Sequence, residues 1–208
     1  MTVILSIQNV SKHFGGLQAL MNVTFDLPEG QILGLIGPNG AGKTTLFNAI
    51  NGVYPPEEGR ILFRDKDVTR AKTYHHARMG MARTHQIVQP LNDLTVRENV
   101  MVGACFGRQN MSLAHASAAA DEVLEFVGLT ARAGQLAGSL NVAQKKRLEM
   151  ARALASRPYL LLLDEVLAGL NPSEIEAMTE IVLKIRQQGI TIVSVPTAPG
   201  RANSPISK

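Results

Sequence analysis

The residues with the clearest chemical pattern lie at positions 37–44, which read Gly-Pro-Asn-Gly-Ala-Gly-Lys-Thr. This spacing of glycine, lysine and threonine is typical of a loop whose backbone N–H groups wrap phosphate oxygens at the start of a helix. In such a loop Lys43 contacts the β- and γ-phosphates, and the hydroxyl of Thr44 holds Mg²⁺. The alternative is a glycine-rich turn that ends in a surface lysine. The predicted phosphate-binding residues are Gly37, Pro38, Asn39, Gly40, Ala41, Gly42, Lys43, Thr44 and Thr45.

A second candidate group is the carboxylate pair Asp164 and Glu165, which follows the aliphatic run at residues 159–163. A continuous apolar run of this kind is typical of a central parallel strand that is covered on both faces. Asp164 at the carboxyl end of the strand can hold the coordination shell of Mg²⁺, and Glu165 can polarise an attacking water. Taken alone, the pair fits a solvated strand end equally well. Together with the phosphate loop it predicts hydrolysis of a bound nucleotide.

The composition excludes several classes of protein. With 208 residues, 45% of them apolar, the chain is long enough to bury a sizeable core in one or two domains. Its longest aliphatic run is far shorter than the roughly 20 residues that a membrane span needs. A single cysteine excludes an intramolecular disulfide, and scattered basic residues with few aromatics argue against nucleic-acid binding despite a net charge of +4. We therefore expect a cytoplasmic protein.

The elements that would position these residues alternate between strand and helix. The phosphate loop lies between a predicted strand at residues 31–36 and a predicted helix at residues 44–50. Further strands are expected at residues 3–10, 23–27, 60–63, 81–85, 159–163 and 190–195. Asn171 as a cap and Pro172 at the first helical position predict a long helix that closes at Gly189.

Helical periodicity replaces the strand pattern between about residues 86 and 154, which indicates a subdomain inserted between two parts of one sheet. Thr95 and Glu98 form a predicted capping box, and Gly128 ends a second helix. A third helix is expected at residues 142–156, with its charged side chains in water. These charged residues are Lys145, Lys146, Glu149 and Arg152. Histidines 75, 76 and 115 are likewise expected at the surface.

The chain resembles the ATP-binding subunits of ABC transporters over about residues 3–195. The resemblance rests on GPNGAGKTT, ARTHQ, QKKRLEMARALASRP and LLLLDE, and SKHFGGLQAL and LLLLDEVLAGLNPSE are most similar to the branched-chain amino acid importer ATPases. It implies an α/β fold, a P-loop NTPase with a mostly parallel central sheet, an N-terminal antiparallel β subdomain and an inserted α-helical subdomain. The ATP-binding domain is then expected at residues 1–195, with its helical insert at about 87–155 and a disordered tail at 196–208.

The resemblance also implies ATP and Mg²⁺ as ligands and assigns further residues to the site. Phe14 matches the aromatic residue that stacks on adenine, the alternative being a core aromatic at a strand end. Gln86 matches the glutamine that touches Mg²⁺ and the attacking water. The implied catalytic residues are Glu165, Gln86 and Lys43, and the implied metal ligands are Thr44, Gln86 and Asp164.

The chain departs from the family pattern in two places. The signature segment, usually Leu-Ser-Gly-Gly-Gln, matches residues 140–144, in which Val142 and Ala143 replace the glycines. The resemblance implies that Asn141 and Gln144 of this segment face the nucleotide of a partner subunit. After residue 195, where the family has glutamate and histidine, the chain has Pro196 and Thr197. A truncated, frame-shifted, engineered or natural end would each produce this pattern.

Three functional hypotheses follow. The first is an ATP-hydrolysing importer subunit, peripheral on the cytoplasmic face of the membrane. Its implied partners are permease subunits, a second ATP-binding subunit of the same or a homologous chain, and indirectly a solute-binding protein, with no nucleic acid. The second is an ATP-binding module with little or no hydrolysis, because the terminal histidine and the signature glycines are absent. The third is a soluble ATPase of DNA repair or translation, which would need a longer insert or a second cassette.

Overall fold

The computed structural model describes residues 2–85 and 89–195. They contain two four-stranded sheets, one antiparallel and one parallel, with helices packed against them. This arrangement confirms the predicted fold class. The predicted disordered tail at 196–208 lies outside the described residues.

The parallel sheet positions the candidate site. Its strands, in spatial order, are β3 (Ile32–Gly34), β8 (Thr191–Val195), β7 (Leu160–Asp164) and β6 (Met81–Arg83). All three neighbouring pairs run parallel, so the carboxyl ends of these strands lie along one edge. Phosphate-binding loops and carboxylates that follow parallel strands meet at such an edge.

The antiparallel sheet has the strand order β2-β1-β4-β5. Its strands are β1 (Val3–Phe14), β2 (Leu17–Pro28), β4 (Glu58–Phe63) and β5 (Lys66–Asp67). The first two strands run well beyond the predicted segments and pair as a long hairpin with several register shifts. Leu5 and Ile7 are fully buried, because alternate residues of β1 face the core.

Six α-helices connect and cover the strands of the described residues. They are α1 (Lys43–Ile50), α2 (Thr73–Met79), α3 (Val96–Phe106), α4 (Leu113–Phe126), α5 (Val142–Ala155) and α6 (Pro172–Gln187). Capping boxes at Thr95, Asn141 and Asn171 fix the starts of α3, α5 and α6, because each side chain accepts from the backbone N–H three residues on. Short 3₁₀ turns at Thr130–Arg132 and Ala137–Ser139 lead from α4 to α5.

Two expectations about burial are wrong. Lys146 and Glu149 on α5 are buried, at 6% and 4% exposure, instead of facing water. His76 on α2 is fully buried rather than at the surface, whereas His75 and His115 are exposed as expected. In each case tertiary packing covers a polar position that has the pattern of a solvated face.

Candidate functional site

The phosphate loop leaves the end of β3 and enters α1 through Gly42, which has a left-handed backbone conformation with φ of 84°. A Cβ at this position would overlap the backbone carbonyl oxygen of Ala19, so glycine is needed for both conformation and space. No side chain caps the start of α1, and the first N–H groups of a helix have no acceptor within the helix. The loop therefore presents backbone donors and a positive helix end to an anion.

The side chain of Lys43 is held against the first residues of this loop. Its Nζ donates hydrogen bonds to the carbonyl oxygens of Gly37 at 2.7 Å and of Pro38 at 2.8 Å. The side chain thus folds back along the loop, so that its ammonium lies beside the loop backbone. An ammonium has three donors, so this geometry is compatible with a further bond to phosphate oxygen.

Asp164 ends strand β7 and is 2% exposed. Its Oδ2 accepts a hydrogen bond from Nη2 of Arg83 at 2.8 Å, and its backbone N–H donates to Oγ1 of Thr84 at 3.2 Å. Both partners come from β6 or from the residue directly after it, so the neighbouring parallel strand holds the carboxylate in place. The ion pair keeps a buried negative charge compensated.

Arg83 also reaches α1. Its Nη1 donates to Oδ1 of Asn48 at 2.5 Å, and Asn48 lies one turn of helix after Thr44. One guanidinium therefore connects the helix of the phosphate loop with the carboxylate on β7. No sequence motif indicates a role for Arg83 or Asn48, because no motif shows which strands become neighbours.

Glu165 follows Asp164 with φ of 47°, a left-handed conformation that costs a residue with a Cβ roughly 1 kcal/mol or more. Its N–H donates to the carbonyl of Val195 at 3.2 Å, and its carbonyl accepts from Nζ of Lys146 at 3.1 Å. Such a strained residue persists where several contacts fix it, and strain of this kind is frequent at active sites. The bend directs the chain out of the sheet directly after Asp164.

The matching protein-family model is described as ABC transporter, and it covers residues 20–168. The chain belongs to the ABC transporter family. It is 38% identical over 203 residues to the high-affinity branched-chain amino acid transport ATP-binding protein LivG of Escherichia coli K12. The alignment covers 91% of this chain and 80% of that protein. As a member of this family the chain is an ATP-binding cassette with ATPase activity.

Solved cassettes have the same fold. The crystal structure of an ATP-binding cassette of an ABC transporter in its ADP conformation has a TM-score of 0.84 at 32% identity, over 94% of this chain and 82% of that one. A cassette described as dimeric, in a post-hydrolysis state bound to ADP and Pi, has a TM-score of 0.82 at 26% identity, over 93% of this chain and 88% of that one. Nucleotide binding is thus a property of the family and of its solved structures.

The donor set of the cassette suits Mg²⁺. No three His, Cys, Asp or Glu side chains cluster as metal ligands within residues 2–85 and 89–195. Mg²⁺ does not need such a cage, because it keeps several waters and binds one or two protein oxygens together with substrate phosphates. The Thr44 hydroxyl at the start of α1 and the Asp164 carboxylate at the end of β7 offer oxygens of this kind, and their role as Mg²⁺ ligands stays a prediction.

Phe14 lies at the end of β1 with its side chain 42% exposed, so it is not a core aromatic. Its ring packs edge-on against Tyr54, with centroids 5.4 Å apart. An exposed, laterally supported ring is suited to stacking on a planar ligand. The assignment of adenine to this ring stays a prediction.

The signature segment starts α5. Oδ1 of Asn141 accepts from the N–H of Gln144 at 2.9 Å, and Oε1 of Gln144 accepts from the N–H of Asn141 at 3.1 Å. These bonds use the two amide oxygens, whereas the amide nitrogens carry the donors that a phosphate would accept from. The capping box therefore explains these residue types without any ligand, and contact with a partner's nucleotide remains a prediction.

Gln86, predicted to touch Mg²⁺ and the attacking water, lies outside the described residues, as do Pro196 and Thr197. His85, just before Gln86, is described, and its N–H donates to Oε1 of Glu149 at 2.6 Å. In the described part of the chain no helix combines the length and the apolar character that a membrane crossing requires.

Proposed function

We propose that this cassette is the ATP-hydrolysing subunit of an importer for branched-chain amino acids, acting at the cytoplasmic face of the membrane on a permease. One observation supports the nucleotide chemistry most directly. The phosphate loop and the Asp164–Glu165 pair follow strands of one parallel sheet at the same edge, and Arg83 links Asp164 to Asn48 on helix α1, which the loop enters. The transported solute is inferred from the 38% identity to a branched-chain amino acid transport ATP-binding protein.

Each proposed role follows from where the group lies. The loop amides and the positive end of α1 hold the phosphates, and Lys43 neutralises charge between the β- and γ-phosphates. The Thr44 hydroxyl and the Asp164 carboxylate would hold Mg²⁺, which when bound withdraws charge from the phosphate oxygens. Glu165, half-buried after Asp164, would accept a proton from water as that water attacks phosphorus.

The proposed partners follow from the same family. A second ATP-binding subunit would place its signature segment on the nucleotide held here, and Asn141 and Gln144 of this chain would do the same for it. The dimeric post-hydrolysis cassette with ADP and Pi supports this pairing. A permease would receive the resulting movement, and a solute-binding protein would act through that permease.

Two substitutions test the proposal. Glu165→Gln should leave ATP affinity within about twofold and lower phosphate release by about 10² or more, because an amide is not a general base. Lys43→Ala should lower ATP affinity by about 10² or more, because it removes a cation that faces the phosphates. A Glu165→Gln variant that hydrolyses at the parent rate, or a Lys43→Ala variant that binds normally, refutes these roles.

The importer role needs a separate measurement. Affinity purification from membranes should recover a multispanning permease together with this chain, and loss of the chain should abolish uptake of labelled leucine. A cassette that is active but never associates with a membrane protein would overturn the importer role while leaving the nucleotide site intact.

The alternative of a binding module with little turnover rests on Thr197 and the altered signature alone, and the comparisons give it no support. Steady-state phosphate release from the 208-residue chain decides the matter. Turnover near that of ordinary cassettes refutes the alternative. Weak turnover that rises when Pro196→Glu and Thr197→His are combined supports it.

A further inference from the structure

Helix α5 carries a row of charged side chains, two of them buried, that the roles above do not use. Lys146, Glu149 and Arg152 are spaced three residues apart, so they lie along one side of the helix. The first two are 6% and 4% exposed, although lysine and glutamate are rarely buried without partners. Their partners are backbone atoms of two other segments.

Two side chains of this row hold the backbone of His85 and Gln89, which flank residues 86–88. Glu149 Oε1 accepts from the N–H of His85 at 2.6 Å, and Arg152 Nη1 donates to the carbonyl of Gln89 at 3.3 Å. These two bonds fix the backbone on either side of residues 86–88. Because both involve main-chain atoms, they set the chain path whatever the side chains of His85 and Gln89 are.

Another side chain of the same row holds Glu165. Lys146 Nζ donates to the Glu165 carbonyl at 3.1 Å, and the N–H of Ala168 donates to the same oxygen at 3.0 Å. The left-handed conformation of Glu165 needs such external restraint. Lys146 therefore helps to hold the backbone that carries the proposed general base.

The two buried charges compensate each other. Burial raises the pKa of Glu149, and the hydrogen bond from His85 together with the nearby cations Arg152, Lys146 and Arg83 opposes that rise. Burial lowers the pKa of Lys146, and the negative charges of Glu149 and Glu165 oppose that change. The two buried charges are therefore compensated by nearby charges and by their hydrogen bonds to main-chain atoms.

We propose that Lys146 and Glu149 are positioning residues for ATP hydrolysis. Lys146 holds the backbone of Glu165, Glu149 holds the backbone of His85 just before Gln86, and helix α5 fixes the two relative to each other. Neither residue touches nucleotide in this role. The proposal rests on the proposed function, since it assigns Glu165 and Gln86 to the attacking water. Displacing a reacting group by about 1 Å costs roughly 10²-fold in rate, so the loss should fall on kcat rather than on binding.

Variants of Glu149 separate positioning from charge. Glu149→Ala removes the acceptor of the His85 N–H, whereas Glu149→Gln keeps an oxygen at the same place. Glu149→Ala should lower kcat for phosphate release by about 10- to 100-fold, with the Kd for trinitrophenyl-ATP within about twofold of the parent. Glu149→Gln should recover kcat to within about threefold.

Variants of Lys146 form a second, independent series. Lys146→Met removes the donor to Glu165 with little change in shape, and Lys146→Arg restores a donor. The first should lower kcat by about tenfold or more, and the second should return most of it. Lys145→Ala, at the adjacent and only half-buried position, is the matched control and should behave like the parent.

Hydrogen exchange gives a readout that does not depend on turnover. In Glu149→Ala, the peptide that contains His85 should exchange faster than in the parent, while peptides of α5 stay protected; in Glu149→Gln it should exchange as in the parent. A Glu149→Ala variant with unchanged kcat, or with kcat and ATP affinity reduced together, overturns the positioning role alone. A parent that binds Mg·ATP but releases no phosphate overturns the proposed hydrolysis and the positioning role with it.

Discussion

At the scale of single residues, the site depends on a buried ion pair as much as on its motif. Arg83 and Asp164 have side chains that are 8% and 2% exposed, with 2.8 Å between Nη2 and Oδ2. Removing one partner of such a pair leaves a buried charge without compensation, which typically costs about 3–5 kcal/mol. The second bond of Arg83, to Asn48, extends the effect to the helix of the phosphate loop.

Arg83→Met should therefore lower the free energy of unfolding by about 3–5 kcal/mol, measured by urea denaturation. Arg83→Lys keeps a cation but cannot reach Asp164 and Asn48 together, so it should fall between the parent and Arg83→Met. In a double-mutant cycle, Asp164→Asn should cost less in the Arg83→Met background than in the parent. Additive costs would show that the two side chains are not coupled.

The sequence predicts residues whose chemistry is local and misses those whose partners are distant. The loop at residues 37–44 is recognisable because adjacent glycines, lysine and threonine make the site together. Arg83 and Asp164 are 81 positions apart in the chain, and they meet only because β6 and β7 become neighbours. The spacing of residues along the sequence does not indicate that β6 and β7 pair in the sheet.

At the scale of elements, caps and apolar periodicity predict helices well, and helix α2, which lacks both, is not predicted from the sequence. Helix α6 begins at Pro172 after Asn171, as the sequence predicts. Helix α2 has no side-chain cap at Lys72, and only His76 in it is buried, so no apolar stripe marks it. The charged row on α5 has the sequence pattern of a solvated face although two of its side chains are buried, because a buried polar face and a solvated one have the same pattern.

The contact between α3 and α5 gives a prediction about packing. A Cβ on Gly103 would overlap the backbone carbonyl of Arg152, so the two helices approach each other more closely than any larger residue allows. Gly103→Ala should destabilise the chain by about 1–3 kcal/mol in urea unfolding, despite the better helix propensity of alanine. Gly134→Ala, where a Cβ meets nothing within 4 Å, is the control and should be near neutral. Equal stability of the two variants would contradict the close approach.

The packing of α2 gives a prediction about pH. Burial holds the pKa of His76 below its usual value, and Nε2 of His76 lies 3.2 Å from the carbonyl of Ala71. The unfolded chain then takes up a proton below about pH 6.5 that the folded chain does not. Stability from this group is therefore fully present above about pH 6.5 and declines as the pH falls toward the lowered pKa.

Thermal melts between pH 7.5 and 5.5 measure this decline. In His76→Gln, which keeps a donor for Ala71, the fall in Tm should be smaller than in the parent. The charge of His75 is the smallest of the causes that lower the pKa of His76, so His75→Gln should reduce the fall in Tm by less than His76→Gln does. Identical slopes for the parent and His76→Gln would show that His76 does not titrate differently on folding.

At the scale of the whole molecule, strand β7 joins two hydrophobic cores. Leu161 and Leu163 pack into the core that contains α5 and α6, and Leu160 and Leu162 pack into the core that contains α1. This alternation follows from the two-residue period of a strand. If Asp164 at the end of β7 and Thr44 at the start of α1 hold Mg²⁺ and nucleotide as proposed, ligand binding acts on both cores.

A ligand held at that junction should stabilise the whole folded chain and not only the phosphate loop. At a concentration 100 times its Kd, Mg·ATP adds about 2.7 kcal/mol to the free energy of unfolding. For a chain of this size that raises the Tm by roughly 5–10 °C in one cooperative transition. Lys43→Ala should abolish this rise in Tm. The part of the rise that depends on Mg²⁺ is the difference between the Tm with Mg·ATP and the Tm with ATP in EDTA, and Asp164→Asn should reduce that difference. A melt in which Mg·ATP shifts only an early, partial transition would show that the site stabilises one core alone.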